Sequence, residues 1–544
     1  MRRIFTILTT TMRAPWLLAI GAALCMSLVA IWYGGLNQDE GWYLYAAQMV
    51  HAGKAPYRDF FYTQGPAMPY VYSVLSPIWG MSSPLHGLLG GRVVTVVLGF
   101  CSLLCGIGLV RRLVPEDRRS LAGLALFAVL GCNLYHVYFS TIPKTYALGS
   151  LFLMGGLLLI AHGLESVSAK GRGAVCLLLG GLLLAFATGT RISLLLVLPV
   201  VGFVLLLGFR RFRWSFLWFG IGGGLGLALT YGSFALDPVA LKGLLAAQSY
   251  HASRGGFDPF FALGSVSRLV RGYAALGTVL FAAFAFGRPR DQFANLQFQI
   301  SGGKAAPSPV QPALMWMLGL GFAAVFLLQL SAPFPYDDYQ VPIMGLLAVL
   351  IVAGFARKVE RLVPAAWFVV VAAGMISFSS PMLQEWATYN QDRFWSQKKE
   401  MTELAKLRAM GRELNVVDPG GTTLLTQDLY LAIETGRTVP NGLEMGPFSY
   451  FPDMKTEDAK AVHVLNRELM RQLLESAPCS AAACSGYAFA IAVPKCDEVP
   501  FEDQKEFFEL LKRNYDLADT EPNFGQNATT LLLMRRKAGK ESRQ

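Results

Sequence analysis

The sequence predicts an α-helical polytopic membrane protein with about eleven transmembrane helices, followed by a small soluble α/β region. Three observations carry that expectation. Hydrophobic residues make up 53% of the 544-residue chain and charged residues only 15%, with a mean hydropathy of +0.42. A soluble chain of this size lacks the polar surface to cover so much apolar material. The apolar residues also fall into runs of about 20, the length a helix needs to cross a hydrocarbon core. Finally, Lys and Arg collect at the ends of those runs, so the net charge of +11 reports topology and gives no support to a nucleic-acid partner.

The runs lie near 14–35, 90–110, 119–139, 146–164, 174–190, 192–209, 214–234, 268–287, 311–331, 340–356 and 362–380. With strictly alternating spans, six basic clusters share one side. They are Arg2, Arg3 and Arg13; Arg111, Arg112, Arg118 and Arg119; Lys170 and Arg172; Arg210, Arg211 and Arg213; Arg288, Arg290 and Lys304; and Arg357, Lys358 and Arg361. The positive-inside rule makes that side the cytoplasm, and an odd number of spans puts the C-terminus outside. The expected location is the plasma (inner) membrane, multi-pass, with a cytoplasmic N-terminus. The apolar run after Arg2–Arg3 is too long for a signal-peptide core, so it is expected to remain as the first helix.

Residues 1–381 form the expected membrane bundle, with long outer loops at 36–89 and 235–267, and residues 382–544 the expected extracytoplasmic domain. Each loop contains a short amphipathic stretch, Gly41 to Ala52 and Val239 to Tyr250, suited to lying in the interface. The C-terminal part reads as α/β, with a charged helical stretch from Gln384 to Leu414. Strands are expected at Thr423–Thr426, Ala488–Val493 and Thr530–Met534, and helices at Asp428–Thr435, Lys460–Leu474 and Phe501–Asn514. Of the eight cysteines, Cys479, Cys484 and Cys496 lie in this part. One disulfide with a thiol left over is the expectation, with the pairing open.

The first outer loop holds the most informative stretch, GGLNQDEGWYLYAAQMVHAGKAPYRDFFYTQGPAMPYVYS, from Gly34 to Ser73. Asp39 and Glu40 stand where the first helix leaves the membrane. Neighbours on a helix do not face each other, so these acids are not expected to share a proton. Either one faces a cavity while the other orients it, or Asn37 or Asp39 caps the interfacial helix with Glu40 in its first turn.

This stretch resembles the GT-C glycosyltransferases, and within them the protein O-mannosyltransferase and aminoarabinose transferase superfamily (glycosyltransferase family 39-like). The resemblance rests on the acidic pair, the YAA helix, the GKAPYRDFF turn and the QGP–aromatic stretch. It implies transfer of a sugar from a polyprenyl-phosphate carrier to an acceptor on the outer face, with inversion. It also implies Asp39 as the catalytic base and Glu40 as its support. Such chemistry requires cations at the departing lipid phosphate and an apolar groove for the isoprenoid chain. Donor-phosphate candidates are Lys54, Arg58, Lys144 and Arg191; Arg254, Arg268 and Arg271 share the same side. Lys144 and Arg191 stand out because each occupies a very short turn between apolar runs, where a charge needs a partner or a role. Snorkelling to headgroups is the other reading of each.

The sequence departs from the resemblance in two places. Aminoarabinose transferases carry an acid and a Lys where this chain has Gln64 and Gly65, and related enzymes often place an acid where it has Lys144. Both departures argue against aminoarabinose as the sugar and lipid A as the acceptor. Tyr62 and Gln64 remain substrate-binding candidates. So do Tyr336, Asp337, Asp338 and Tyr339 in SAPFPYDDYQVP, Ser331 to Pro342, which reads either as a set of sugar-hydroxyl ligands or as a solvated turn.

The six histidines have no metal-ligand spacing, and no metal site is assigned. A divalent cation between His51 and His251 is kept as an open cofactor question. Nucleotide-binding and serine-hydrolase motifs are absent. The expected partners are a polyprenyl-phosphate sugar, a glycan, lipid or protein acceptor, and membrane lipids. The alternatives are an envelope glycan polymerase or ligase using a lipid-diphosphate donor, and a lipid or sugar transporter. In the C-terminal part, Leu424 to Phe448 resembles domains attached to such transferases, with Gly436, Arg437, Gly442 and Gly446 in turns.

Overall fold

A computed structural model describes residues 2–166, 171–253, 256–287, 310–389, 397–486 and 501–538. Lys170, Arg254, Arg288, Arg290, Lys304, Cys496 and the expected strand Ala488–Val493 lie outside the described residues, as does the His251 side chain.

Seven helices are long and apolar enough to span a membrane: Met12–Tyr33, Leu88–Leu113, Thr145–Glu165, Arg172–Thr190, Ser215–Leu236, Val310–Leu330 and Asp337–Lys358. Two further spans are bent. Pro259–Gly272 meets Ala274–Ala285 at 61°, and Leu362–Phe378 meets Pro381–Ala387 at 41°, which brings the number to at most nine among the described residues. The expected spans at 119–139 and 192–209 are helical but shorter. The first breaks between Arg119–Gly131 and Leu134–Phe139, because Asn133 caps the second piece and accepts from the His136 N–H. The second starts as a 3-10 turn, Ile192–Leu196, before Val197–Leu207.

The C-terminal region packs its helices against a four-stranded sheet of order β1-β2-β4-β3. The strands are β1 (Leu425–Thr426), β2 (Ala481–Cys484), β3 (Tyr515–Phe524) and β4 (Thr529–Arg536). β1 and β2 run parallel, with Leu425 opposite Ala482, and the other pairs are antiparallel. Sequence reasoning missed β2 and β3. β2 is Ala-Ala-Ala-Cys, a poor strand former by composition, and it is a strand because it is buried between two others. Cys479 and Cys484 are buried and not bonded to each other.

A second core joins this region to the loop at 36–89. The helix Gln38–His51 lies against Leu429–Thr435 so closely that a Cβ on Gly41 would sit 2.4 Å from the Tyr430 nitrogen. Trp42 stacks on Phe448 at 4.9 Å, the Tyr45 hydroxyl accepts from the Val439 N–H at 2.9 Å, and His463 reaches the Arg58 carbonyl at 2.7 Å. The loop and the C-terminal region therefore pack together as one cover over one end of the bundle, here called the domain-bearing end.

Candidate active site

Asn37 caps the helix Gln38–His51, its side chain accepting from the Asp39 N–H at 3.0 Å. Glu40 closes a capping box by accepting from the Asn37 N–H at 3.0 Å. Asn37 thus takes the cap, and the Asp39 side chain is left for other contacts.

Glu40 turns inward and is fully buried against Arg92, with Nε–Oε2 and Nη2–Oε1 both at 2.7 Å. The remaining Arg92 donors bond the carbonyls of Ile31, Gly34 and Gly35 at 2.9, 3.1 and 3.0 Å. Every guanidinium donor is used, so this pair clamps the end of the first span to the helix Leu88–Leu113. Arg92 was missed in the sequence, although a cation two residues into the apolar run at 90–110 was the signal for it.

Asp39 points the other way, as the roughly 100° step between helical neighbours requires. Its Oδ1 accepts from Trp42 Nε1 at 3.0 Å, and its Oδ2 lies 2.7 Å from the Lys144 ammonium. The same ammonium sits 2.7 Å from Asp338 Oδ2, which also accepts from the Tyr146 hydroxyl at 2.8 Å. Burial alone would lower the pKa of Lys144, but the carboxylates of Asp338 and Asp39 more than offset it, and the amine is held charged. Asp337 accepts from Tyr135 at 2.7 Å and from Arg268 Nε at 2.9 Å. Arg191 lies between the rings of Tyr146 and Tyr339, 5.1 and 4.6 Å from their centroids. Its Nε is buried with no hydrogen-bond partner among the described residues. Tyr336 completes the wall, edge-on to Tyr339 at 5.5 Å.

These groups converge because several helix ends meet at the domain-bearing end. Asp39 is in a first turn, Asp337 and Asp338 precede Val341–Lys358, and Arg191 follows Arg172–Thr190. The three carboxylates suit the helix dipole at their positions. Arg191 is both the C-cap of Arg172–Thr190 and the N-cap of Ile192–Leu196, and Lys144 is a cation at the N-terminus of Thr145–Glu165.

Four sequence candidates lie apart from this cluster. Arg58 is exposed and pairs with adjacent Asp59 at 2.9 Å, and Lys54 is exposed with Glu444 as its charged neighbour. Tyr62 is fully buried among Tyr43, Tyr57 and Phe60, and the Gln64 carbonyl accepts from the Tyr57 hydroxyl. Proximity along the loop had suggested Lys54 and Arg58 as phosphate ligands. The chain's path carries them to the surface; Lys144 is the cation that reaches Asp39 and Asp338, and Arg191 stands beside them on the rings of Tyr146 and Tyr339. Gly65 also has a structural reason, since a Cβ there would sit 2.1 Å from the Gly189 carbonyl, next to the turn that bears Arg191.

Among the described residues, no group of three or more His, Cys, Asp or Glu is placed to hold a metal. His51 instead bonds Ser76 at 3.2 Å. A cavity of about 350 Å³ lies at the other end of the bundle, lined by Arg111, Arg112, Arg119 and Glu165. Those arginines belong to the basic clusters read as topology signals. In the C-terminal region Arg437 is buried against Asp418, and Gly436, Gly442 and Gly446 adopt positive φ of 68°, 91° and 55°.

No family profile matches the chain, and no curated sequence matches it. Solved structures do. Apo ArnT from Cupriavidus metallidurans aligns over 95% of this chain and 97% of its own length, at TM-score 0.59 and 12% identity. ArnT bound to undecaprenyl phosphate gives TM-score 0.56 and 13% identity over the same shares. An apo oligosaccharyltransferase from Archaeoglobus fulgidus is a more distant likeness, at TM-score 0.44 and 12% identity over 96% of this chain and 75% of its own. At such identities the likeness is one of fold. The fold is GT-C, with a small mixed sheet in the C-terminal region, and the chain is a multi-pass membrane protein.

Proposed function

We propose that this chain is an integral-membrane glycosyltransferase that moves a sugar from a polyprenyl-phosphate carrier to an acceptor, with inversion. The observation that carries the reading is the cluster of Asp39, Lys144, Asp338 and Arg191 at the domain-bearing end, with a buried guanidinium nitrogen left unpartnered. The GT-C fold supports it, as does the undecaprenyl phosphate bound by ArnT.

In this reading the acceptor's nucleophilic atom bonds the anomeric carbon while the carbon–oxygen bond to phosphate breaks. The bonding pair leaves with the phosphate, and the acceptor proton passes to Asp39. Arg191 stabilises the charge growing on the leaving phosphate, a role its aromatic walls favour by keeping water away. Glu40 acts through position alone, by fixing the helix that carries Asp39. Asp337, Asp338 and the tyrosines around them bind the sugar. In this reading the domain-bearing end faces away from the cytoplasm, which the basic clusters at the other end support under the positive-inside rule. The transporter alternative fits less well, because the charged groups lie at a bundle end and not near the midplane.

The test uses cells lacking this chain, complemented with wild type or Asp39→Asn, with mass spectrometry of lipid-linked sugars and envelope glycans. The expected result is that a polyprenyl-phosphate sugar accumulates and one glycan loses that sugar, with the variant alone. Full complementation by a correctly inserted Asp39→Asn would sink the assignment of the base.

A further inference from the structure

We propose that the Lys144 ammonium is a built-in cation occupying the position that a divalent metal ion would otherwise take between Asp39 and Asp338. This deepens the functional reading above, because it makes the candidate site independent of metal.

The geometry is that of a bridging ion. One nitrogen stands 2.7 Å from an oxygen of each carboxylate, and those two acids come from different loops that touch through it. Both separations are those of charge-assisted N–H···O bonds, slightly longer than the about 2.3–2.6 Å of Ca²⁺–carboxylate bonds, so a metal ion there would draw the two acids closer together. The rest of the ammonium's surroundings are aromatic faces, with the Tyr146 centroid at 4.7 Å and that of Phe139 at 5.9 Å. Its placement therefore depends on the two acids. The side chain is only 7% exposed and sits at a helix N-terminus, where the dipole opposes a positive charge. A cation kept there against burial and dipole points to a charge that the two carboxylates require.

The other cations nearby do not fill this role. Arg268 is committed to Asp337 and Ser265, and Arg191 is held by rings. Asp39 and Asp338 carry one more negative charge than Lys144 neutralises.

The proposal yields a test that does not depend on glycosyl transfer. Full-length Lys144→Asp, which places three carboxylates together, is purified beside wild type, and Mn²⁺ alone is titrated with detection by electron paramagnetic resonance and thermal midpoint. The expected result is that Lys144→Asp binds a single Mn²⁺ and gains thermal stability from it, while wild type does neither. Adding Asp338→Asn to the variant weakens that binding by roughly tenfold or more, as ligand charge sets affinity. Lys144→Ala provides the same readout should the aspartate variant fail to fold, and Lys144→Arg controls for retained charge. Wild type that binds Mn²⁺ in an Asp338-dependent way, or folded Asp and Ala variants that both bind none, overturns the proposal. So does wild-type transfer that chelator abolishes and Mn²⁺ restores. A chain with no transfer activity at all sinks the functional reading and leaves the Mn²⁺ result to decide this one.

Discussion

Asp39 and Glu40 are adjacent acids in one helical turn, and each is bound to a cation, yet their surroundings differ in every other respect. The Glu40–Arg92 pair has 0% side-chain exposure on both partners, and all its donors are satisfied within the protein. Asp39 and Asp338 each keep 15% exposure, and Arg191 beside them has a nitrogen without a hydrogen-bond partner among the described residues. A saturated network has no capacity for a ligand, so its energy goes into holding the loop in place. A network left incomplete beside solvent has both an acceptor and a donor available for chemistry.

That contrast is tested most severely by Asp39→Asn. The amide keeps the shape but cannot take a proton, so transfer should fall by roughly 10²–10⁴-fold while the thermal midpoint moves little. Arg92→Met should do the reverse. It strands a buried carboxylate at a cost of about 3–5 kcal/mol, read as a lower thermal midpoint, and Arg92→Met with Glu40→Leu should recover much of the loss. If Asp39→Asn destabilises as strongly as Arg92→Met, the two clusters are not different in kind. Arg191→Gln comes next. Losing charge-assisted contacts to phosphate should raise the half-saturating donor concentration by about tenfold or more, with the folded state unchanged.

The smallest effect comes from a third kind of buried acid, one with no cation. Asp428 is held by the hydroxyls of Tyr430 and Ser485 at 2.8 and 2.9 Å, and burial pushes its pKa up to about 6. With the folded value above the unfolded one, the neutral acid is favoured by folding, and that stability is lost as pH rises through about 6. Asp428→Asn should therefore raise stability at pH 8 by something on the order of 1–3 kcal/mol, read as a higher thermal midpoint, and lose the advantage near pH 4. A gain that persists at low pH would mean the carboxyl is not the source.

Much of this architecture was legible in the residues. Long apolar runs demand helices wherever backbone groups must be satisfied without water, and charges at their ends mark the interface. The helix Phe501–Asn514 was readable for a related reason, since its apolar spacing is local. The helix Gln38–His51 forms where an amphipathic stretch was expected, but it is buried on nearly all sides against the C-terminal region instead of presenting one face to the interface. Asp39, Lys144, Arg191 and Asp338 were each visible as charges where a charge is costly.

The partnerships were not visible. Lys54 and Arg58 are close to Asp39 in sequence and are surface residues, while Asp338 is far along the chain and shares an ammonium with it. Gly41 and Gly65 are small because another backbone passes within van der Waals distance, and an isolated segment contains no trace of that neighbour. β2 is a strand through its two flanking partners and not through its alanines. The sequence alone therefore determined most of the membrane-length helices, though not the breaks in the runs at 119–139 and 192–209, and which charges need an explanation, because those depend on the residue and its immediate neighbours. Which acid meets which cation was settled only by tertiary packing, because a short contact between distant segments exists once the helices have assembled.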